Sequence, residues 1–553
     1  MKIDLVNKSW IKFETSEFSI FFIGYIEFRS TLFLKASELA VLFAQIKEKE
    51  VELVSFILDT FLPNGNGNFA LILKNKSQYL IACDYTRNYP LYIINDASNL
   101  IVTDHIGQLI FKKEHDKLAQ EEFLLAGLVT GNRTVYKNVK GIQAGEMAIV
   151  LDGNIIFKRY FVLKSDPLRK KSALHFEHVY DQIDNLLIKT FKRMLKSCPN
   201  VKNWIVPLSG GLDSRLIISY LYRLGCKNVI CFTYGIRSSQ EVAYSKQAAE
   251  AFSFKWYFVE YSEKEWEVLH RNGLFDKYVR YAFNGCCLPH SQDFLALKKL
   301  IDEGVICKND VVVPGHTAFT EAANINIKNI STQAEALKFV FNKYYTLFPS
   351  IKSYPKFVST LAGLFDEGEQ SNKSFPEFFN WQERQSKFII NSVRAYEFFG
   401  LNWRIPFWEK EVIDFWHELD FDDRIEREIM YHVANKRLFH NNIQELPVIN
   451  KYKKVVPPKS KMADMVPQLL KSYIVSVLKR KVVIGEGTNS IFALKANSVG
   501  AILYPMKLYP LHIKRYLSPV LIRKPYQMNV NALMAIYTLK EEVFIEEVPQ
   551  ING

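Results

Sequence analysis

The stretch from residue 205 to residue 221, IVPLSGGLDSRLIISYL, decides how the middle of this 553-residue chain is expected to fold. Residues 205–208 form a short apolar run that is typical of the end of a buried strand. From residue 215 to residue 224 apolar side chains recur at helical spacing. The segment therefore predicts a strand, a glycine loop and the N-terminus of a helix. Backbone N–H groups and the helix dipole at such a position favour an anion.

Two common nucleotide-binding loops are excluded by the residues between the strand and the helix. The loop Gly-x4-Gly-Lys-Ser/Thr needs a lysine, but Leu212 follows the glycines here and no lysine is near. The dinucleotide spacing Gly-x-Gly-x-x-Gly is also absent. A different kind of phosphate loop has to be considered.

The side chains of this loop suit phosphate oxygens. Gly210 and Gly211 allow oxygen atoms to approach the backbone closely. The hydroxyls of Ser209 and Ser214 can donate hydrogen bonds, and the carboxylate of Asp213 can hold Mg²⁺ against phosphate oxygens.

The hexapeptide SGGLDS at residues 209–214 resembles, residue for residue, the pyrophosphate loop of the ATP-pyrophosphatase superfamily. Members cleave ATP between the α and β phosphates and activate a carboxylate or carbonyl oxygen as an adenylate. The resemblance implies ATP and Mg²⁺, with Asp213 as catalytic residue and metal ligand. The nucleotide contacts that it implies are Leu208, Ser209, Gly210, Gly211, Leu212, Asp213, Ser214, Thr233 and Gly315.

The order of segments up to about residue 440 resembles the asparagine synthetase family. GNFALILKNKSQYLIACDYTRNYPLY, residues 67–92, is similar to the amidotransferase domain of that family, and VICFTYG, residues 229–235, to the strand that flanks adenine. GLNWRIPFWEKEVIDF, residues 400–415, resembles the segment Gly-x-x-x-Arg-x-Pro-Phe-x-Asp, with Arg404 on the Arg and Glu409 in place of the Asp. The resemblance implies a catalytic role for Arg404.

The N-terminus departs from the family. Glutamine-dependent members carry a cysteine directly after the initiator methionine, whereas Lys2 stands here and Cys83 is the first cysteine of the chain. Without that nucleophile no thioester can form. We therefore expect an inactive N-terminal scaffold, as in the β-lactam synthetases and lasso-peptide cyclases of the same superfamily.

A second departure lies in VVVPGHTAFTEAAN, residues 311–324, where the family usually has Ser-Gly-Glu-Gly-Ser-Asp-Glu. Aligning the first glycine with Gly315 places His316 on a glutamate, and Glu321 lies one position late. Either Glu321 reaches the metal in a shifted loop, or His316 acts as a polar or proton-transfer group. A histidine that is simply hydrogen-bonded in a loop is an equal alternative.

Three arginines need partners. Arg215 stands where asparagine-forming members usually have serine; it could neutralise an anionic ligand or, slightly favoured, form an ordinary ion pair on the helix surface. Arg394 and Arg404 lie in apolar surroundings, and a substrate carboxylate would supply a partner for a buried arginine.

The composition, 48% apolar and 23% charged, is that of an ordinary globular protein. Short apolar strands with Gly, Asn and Asp turns fill the first ~160 residues, and helices then alternate with short strands. We predict an α/β protein: an N-terminal Ntn-hydrolase-like β-rich sandwich domain (residues 1–165), a doubly wound parallel-sheet ATP-pyrophosphatase domain (175–450) and a basic helical C-terminal extension (451–553).

The charge is concentrated near the C-terminus. Residues 451–524 hold 15 Lys or Arg against two acids, which accounts for the net charge of +13. The segment could contact an anionic membrane surface or a phosphorylated substrate, or it could be a solvated helix face. A nucleic-acid partner is disfavoured because no added RNA-binding fold is evident. Candidates for a lysine that steadies the transition state are Lys453, Lys454 and Lys459.

Seven irregularly spaced cysteines without a CxxC pair argue against a disulfide framework or zinc cluster and favour reduced, mostly buried thiols. No apolar run approaches the ~20 residues that span a bilayer, and the first residues lack the apolar core of a signal peptide. A cytoplasmic location is expected.

The leading functional prediction is an ATP-dependent amide-forming ligase that uses a small-molecule or sugar carboxylate and ammonia or an amine. The alternatives are an ATP-binding pseudoenzyme, an intramolecular amide former of the lactam or peptide cyclase type, and, least favoured, a tRNA-modifying enzyme.

Overall fold

The computed structural model describes residues 1–48, 52–75, 78–96, 99–109, 112–165, 176–319, 330–347, 354–424 and 427–438, and also residues 531, 534, 535 and 537–539. Glu321, the three candidate lysines and the basic segment 451–524 lie outside the described residues. Their predicted roles stay predictions.

The N-terminal part, residues 1–165, contains two β-sheets. Their strands are β1 Lys2–Asp4, β2 Ile11–Glu14, β3 Phe18–Phe28, β4 Thr31–Phe33, β5 Asn66–Asn75, β6 Gln78–Cys83, β7 Tyr92–Asp96, β8 Asn99–Thr103, β9 Val139–Gly141, β10 Glu146–Leu151 and β11 Asn154–Arg159. The larger sheet has the order β11-β10-β6-β5-β3-β2 with β4 beside β3, and all of its pairs are antiparallel. The smaller sheet has the order β1-β8-β7-β9, in which β1 and β8 are parallel.

The long pair of β3 and β5 forms the middle of the larger sheet. It keeps one register from Phe18 opposite Asn75 to Glu27 opposite Asn66. Gly24, with φ +89°, allows the two backbones to approach, since a Cβ there would lie 1.9 Å from the carbonyl oxygen of Asn68. A side chain at residue 24 would therefore separate the strands.

Five parallel strands form the central sheet of the rest of the chain. They are β12 Trp204–Pro207, β13 Val229–Gly235, β14 Lys255–Glu260, β15 Val311–Val312 and β16 Asn402–Trp403. The order β14-β13-β12-β15-β16 reverses direction at β12, as in doubly wound sheets. The prediction of a mixed α/β protein with a parallel sheet and helices is confirmed.

This strand order predicts where a ligand binds. Open parallel sheets bind ligands outside the carboxyl ends of their strands, at the point where the strand order reverses. Here that point lies between β12 and β15, so the loops after these two strands face the expected site.

Helices surround the sheets. The α-helices are α1 Ala36–Glu48, α2 Leu53–Ser55, α3 Lys117–Ala126, α4 Phe176–Lys196, α5 Leu212–Arg223, α6 Gln240–Ala251, α7 Glu263–Arg271, α8 Leu274–Phe283, α9 Phe294–Asp302, α10 Gln333–Tyr344, α11 Tyr354–Glu367, α12 Phe375–Phe379, α13 Arg394–Phe398, α14 Lys410–Glu418, α15 Phe421–Arg424 and α16 Glu428–Val433. Short 3₁₀ turns occupy Ile106–Gln108, Ile390–Val393 and Pro406–Trp408, and wider π-type turns occupy Phe56–Phe61, Asn380–Ile389 and Ala434–Leu438. Among the helices described, none has the length and apolar character that crossing a membrane requires.

Buried polar bonds join the N-terminal part to the parallel-sheet part. The indole of Trp381 donates to the carbonyl oxygen of Tyr85 at 2.9 Å, and the guanidinium of Arg394 donates to the carbonyl oxygen of Asn88. All seven cysteines are free. Four of them are buried, in agreement with the expectation of mostly buried thiols: Cys83, Cys231, Cys286 and Cys287.

Candidate functional site

The predicted strand, loop and helix are present at residues 204–223. The loop begins at buried Leu208, whose N–H donates to the carbonyl oxygen of Phe232 at 2.8 Å. Helix α5 begins at Leu212, three residues earlier than the apolar pattern predicted. Asp213 in its first turn favours this early start, because a carboxylate stabilises a helix N-terminus.

Two serine hydroxyls hold the loop in shape. Ser214 accepts a hydrogen bond from the N–H of Ser209 at 3.1 Å, and the two hydroxyl oxygens lie 3.1 Å apart. The hydroxyl of Ser209 also accepts from the N–H of Gly211 at 3.1 Å. The phosphate loop is therefore folded by its own side chains.

Thr233 supports the loop from strand β13. Its hydroxyl lies 2.7 Å from both the carbonyl oxygen of Leu208 and the hydroxyl of Ser245, and it accepts from the indole of Trp256 at 3.1 Å. The hydroxyl is thus engaged within the protein and positions the start of the loop. A contact of Thr233 with nucleotide stays a prediction.

The loop after β15 packs directly on the start of α5. A Cβ at Gly315 would lie 3.0 Å from the backbone nitrogen of Ser214 and 3.3 Å from its Cα. A glycine is therefore required for this close approach. The structure places Gly315 against the start of α5, with His316 next to it in sequence, and their roles in binding and catalysis stay predictions.

His316, the residue after Gly315, contacts a residue of a distant segment. Its Nε2 lies 2.5 Å from the hydroxyl oxygen of Ser392. Burial and, to a smaller extent, the nearby imidazole of His290 lower the pKa of His316 to about 3. Burial also lowers the pKa of His290. The two side chains are neutral imidazoles at physiological pH.

Asp293 lies between two tyrosines near the same histidines. Its Oδ1 accepts from the hydroxyl of Tyr234 at 2.6 Å and its Oδ2 from the hydroxyl of Tyr396 at 2.5 Å. Both carboxylate oxygens are therefore engaged within the protein. No local sequence signal marks Asp293, His290 or Ser392, because they come together through contacts between distant segments.

The carboxylate of Asp213 is paired with Arg427, which the sequence analysis missed. Both terminal nitrogens of the Arg427 guanidinium face this carboxylate, with Nη1 3.2 Å from Oδ2 and Nη2 in a shorter contact with Oδ1. The side chains are 23% and 13% exposed, so the pair lies at the border between the interior and solvent.

The residues present suit Mg²⁺ that arrives with a nucleotide. Among the described residues no group of three or more His, Cys, Asp or Glu could hold a metal. However, Mg²⁺ keeps several waters and commonly takes one or two carboxylates together with substrate phosphates. The partly exposed carboxylate of Asp213, beside glycines that phosphate can approach, meets that requirement.

The three arginines have partners inside the protein. Arg404 donates to the hydroxyl of Ser197 at 2.8 Å and to the carbonyl oxygen of Trp403 at 2.7 Å, and its guanidinium lies over the ring of Tyr25. The catalytic role expected of Arg404 stays a prediction. Arg394 pairs with Glu397 at 2.8 Å, so a substrate is not needed as its partner.

The position of Arg215 differs from the one that the sequence predicted. An ion pair on the helix surface was favoured, but the side chain has no exposed area, because it lies on the face of α5 that packs into the interior. Burial lowers the pKa of this guanidinium to about 10.

Residues 184–274 match the family model described as Asparagine synthase. The match covers most of α4, the phosphate loop, and strands β12 to β14. No curated protein matches the chain. The part of the chain that contains the phosphate loop is thus similar to asparagine synthase.

Several solved structures are weakly similar to parts of this chain. The glutamine phosphoribosylpyrophosphate amidotransferase from B. subtilis is 11% identical, with 45% of this chain and 72% of that chain covered and a TM-score of 0.21. The NH3-dependent NAD synthetase from Campylobacter jejuni is 12% identical, with 40% of this chain and 97% of that chain covered and a TM-score of 0.20. The U34-tRNA thiolase NcsA from Methanococcus maripaludis is 14% identical, with 60% of this chain and 84% of that chain covered and a TM-score of 0.21. At such scores none of these similarities bears on what this chain does.

Proposed function

We propose that this protein is an ATP-dependent ligase that activates a substrate carboxylate as an acyl adenylate and joins it to ammonia or an amine. One observation carries the proposal: an SGGLDS loop, folded at the start of α5 and at the reversal point of a parallel sheet, lies inside the asparagine synthase match. The cleavage of ATP to AMP and pyrophosphate is part of the proposal.

The reaction has two steps. A carboxylate oxygen of the substrate attacks the α-phosphorus of ATP, the bond to the bridging oxygen breaks, and pyrophosphate leaves. The nitrogen lone pair then attacks the acyl carbon, the bond to AMP breaks, and the nitrogen gives up one proton. The loop N–H groups and the N-terminus of α5 stabilise the phosphate charge, and Mg²⁺ held by Asp213 would add positive charge there.

The second step needs a proton acceptor beside the loop. Neutral His316 lies next to Gly315, which touches the start of α5, and its ring nitrogen is hydrogen-bonded to Ser392. A neutral imidazole can accept the proton that the attacking nitrogen releases, and with a pKa of about 3 it passes this proton on to water. We assign this role to His316, while Glu321 stays a candidate outside the described residues.

The substrate is a carboxylate without a neighbouring ammonium group, such as a sugar uronate. An ammonium group that enters a protein needs a free carboxylate as partner. Among the described residues, His316 contacts the hydroxyl of Ser392 and lies near the neutral imidazole of His290, and both oxygens of Asp293 accept from tyrosine hydroxyls. Aspartate, with its ammonium group, is therefore disfavoured.

The N-terminal part has no glutaminase role in this proposal. Cys83, the first cysteine of the chain, is fully buried, and burial raises the pKa of its thiol to about 12. A thiol in that state does not supply a nucleophilic thiolate. The proposed nitrogen source is therefore free ammonia or an amine.

A second candidate is a protein that binds ATP without turnover. The contact of Arg427 with Asp213 favours it, because the carboxylate expected to bind metal is already neutralised. Turnover distinguishes the two candidates.

The test is the release of AMP and pyrophosphate from ATP with Mg²⁺ and ammonium. Succinate and aspartate form a matched pair of substrates, since they differ in the ammonium group, and sugar uronates complete the panel. We expect AMP with a uronate or succinate, none with aspartate, and none from the variant Asp213→Ala. AMP with aspartate alone would contradict the substrate class. ATP binding without AMP from any carboxylate would favour the second candidate.

A further inference from the structure

We propose that Arg427 is a phosphate-binding residue of this site, which neutralises Asp213 while no nucleotide is bound and binds the pyrophosphate oxygens when ATP is present. The inference rests on the proposed function, since it assumes that ATP binds at the loop. It adds a residue that lies more than 200 positions after the loop and belongs to none of its motifs.

Position is the first argument. Asp213 stands two positions after the second loop glycine, in the first turn of α5, so its carboxylate lies at the start of the helix that follows the phosphate loop. The two terminal nitrogens of Arg427 both face that carboxylate. The guanidinium therefore lies where phosphate oxygens would enter.

Chemistry is the second argument. A guanidinium presents N–H donors in a rigid fork that fits carboxylates and phosphates equally well. A pyrophosphate group carries more negative charge than the single carboxylate of Asp213. The same guanidinium can exchange one partner for the other with little movement.

The backbone of Arg427 supports a dedicated role. Its φ of +60° and ψ of 27° place it in the left-handed region, which a long side chain rarely adopts. Such a conformation persists where the surrounding structure holds it, and it is frequent at functional sites. Arg427 directly precedes α16, whose Ile429, Met430 and Val433 are buried.

The helix after Arg427 fixes it to the elements that carry the loop. Helix α16 packs on α4, and the turn Ala434–Leu438 that follows packs on α5. The position of the guanidinium relative to Asp213 is therefore set by packing and not by the ion pair alone.

Opposite effects on two ligands follow from this exchange. With no nucleotide, Arg427 competes with a metal ion for Asp213, so its removal should strengthen the binding of a metal ion alone. With pyrophosphate, Arg427 supplies donors, so its removal should weaken binding. A residue with a merely structural role would not move the two affinities in opposite directions.

The experiment compares Arg427→Gln with the wild type as full-length protein. Mn²⁺, whose free ion is counted by electron paramagnetic resonance, probes the metal, and calorimetry with pyrophosphate and Mg²⁺ probes the phosphate site. We expect Mn²⁺ alone to bind about tenfold more tightly to the variant and pyrophosphate about tenfold more weakly, the size of one charge-assisted contact. Arg427→Lys keeps the charge, so its affinities for Mn²⁺ and pyrophosphate should lie between those of the wild type and Arg427→Gln.

Matched controls separate the outcomes. Arg237→Gln removes an exposed arginine paired with Glu260 and should change neither affinity, and Asp213→Asn should abolish Mn²⁺ binding. Unchanged affinities in Arg427→Gln, or a loss of both, would overturn the inference while leaving the ligase intact. Failure of the wild type to bind ATP or pyrophosphate would instead overturn the proposed function and the phosphate role with it.

Discussion

Tyr25, on strand β3 of the N-terminal part, donates its hydroxyl to the Oε1 of Glu409 at 2.6 Å, across 384 residues of sequence. Both side chains are fully buried. The other carboxylate oxygen of Glu409 is paired with Arg193 on α4, which also contacts Glu27 and Glu411. One buried network therefore fastens the N-terminal sheet to the helix that precedes the phosphate-loop strand.

The first prediction concerns this network. Replacing Glu409 with Ala leaves a cavity beside Arg193, which keeps its contacts with Glu27 and Glu411, so we expect the lower end of such losses, about 3 kcal/mol in the free energy of unfolding. Tyr25→Phe removes one hydrogen bond and should cost about 1–2 kcal/mol. Urea unfolding of both variants measures the difference. Equal losses would show that the Glu409–Arg193 pair adds nothing beyond the tyrosine contact.

The second prediction concerns the close contact of two loops. In Gly315→Ala the new Cβ would lie 3.0 Å from the nitrogen of Ser214, so the loop after β15 must move away from α5. We expect ATP to bind about tenfold more weakly, as one displaced loop contact would give. Nucleotide titration by calorimetry measures this.

The control is Gly363→Ala, on the exposed face of α11, where an added Cβ meets no atom within 4 Å. Alanine is the better helix former, so this variant should keep its ATP affinity and gain about 0.5–1 kcal/mol of stability. Equal ATP affinity in the two alanine variants would show that the contact of Gly315 with Ser214 does not shape the site.

The sequence alone predicts the parts of the site that are local. Residues 204–223 contain a strand, two glycines and an amphipathic helix in a row, so the phosphate loop and its place at the end of a parallel strand could be predicted. The alternation of short strands and helices likewise predicts the parallel sheet. These signals depend on neighbours in sequence.

What could not be predicted depends on distant segments. The partner of Asp213 lies 214 residues away and that of Tyr25 lies 384 residues away, and neither Arg427 nor Glu409 carries a local mark of its role. Arg215 shows the same limit. Its helix position was predicted, but which face of α5 is buried is decided by the sheet and helices that pack on it.

The third prediction concerns pH and stability. Burial, aided by nearby Arg424, lowers the pKa of His417 from 6.5 to about 4. Because the unfolded chain takes up the proton first, stability that is complete above about pH 6.5 is lost as the pH falls towards 4. At pH 5 the loss due to His417 is about 2 kcal/mol.

The variant His417→Gln cannot take up this proton. Its loss of unfolding free energy between pH 7.5 and pH 5 should therefore be about 2 kcal/mol smaller than that of the wild type. His178→Gln, which replaces an exposed histidine on α4, should keep the wild-type pH dependence. Parallel pH curves for the wild type and His417→Gln would exclude this source of acid sensitivity.

The fourth prediction concerns the pH dependence of the reaction. Burial and His290 hold the pKa of His316 at about 3, so its imidazole is already neutral above about pH 4. A neutral base at this position gives no inflection near pH 6.5 in the rate of AMP-coupled amide formation between pH 5.5 and 8.5. His316→Ala should lower that rate about 100-fold, the lower end of general-base effects, without changing the shape of the profile.

Ser392→Ala tests the same assignment from the other side of the hydrogen bond. It leaves the imidazole in place but removes its partner at Nε2, so the rate should fall less than in His316→Ala. Single-turnover assays across the pH range measure all three proteins. A rising limb near pH 6.5 that is present in the wild type and lost in His316→Ala would show that His316 titrates in solution-like surroundings. In that case the neutral imidazole of His316 would still be the base, but its pKa would not be lowered by burial.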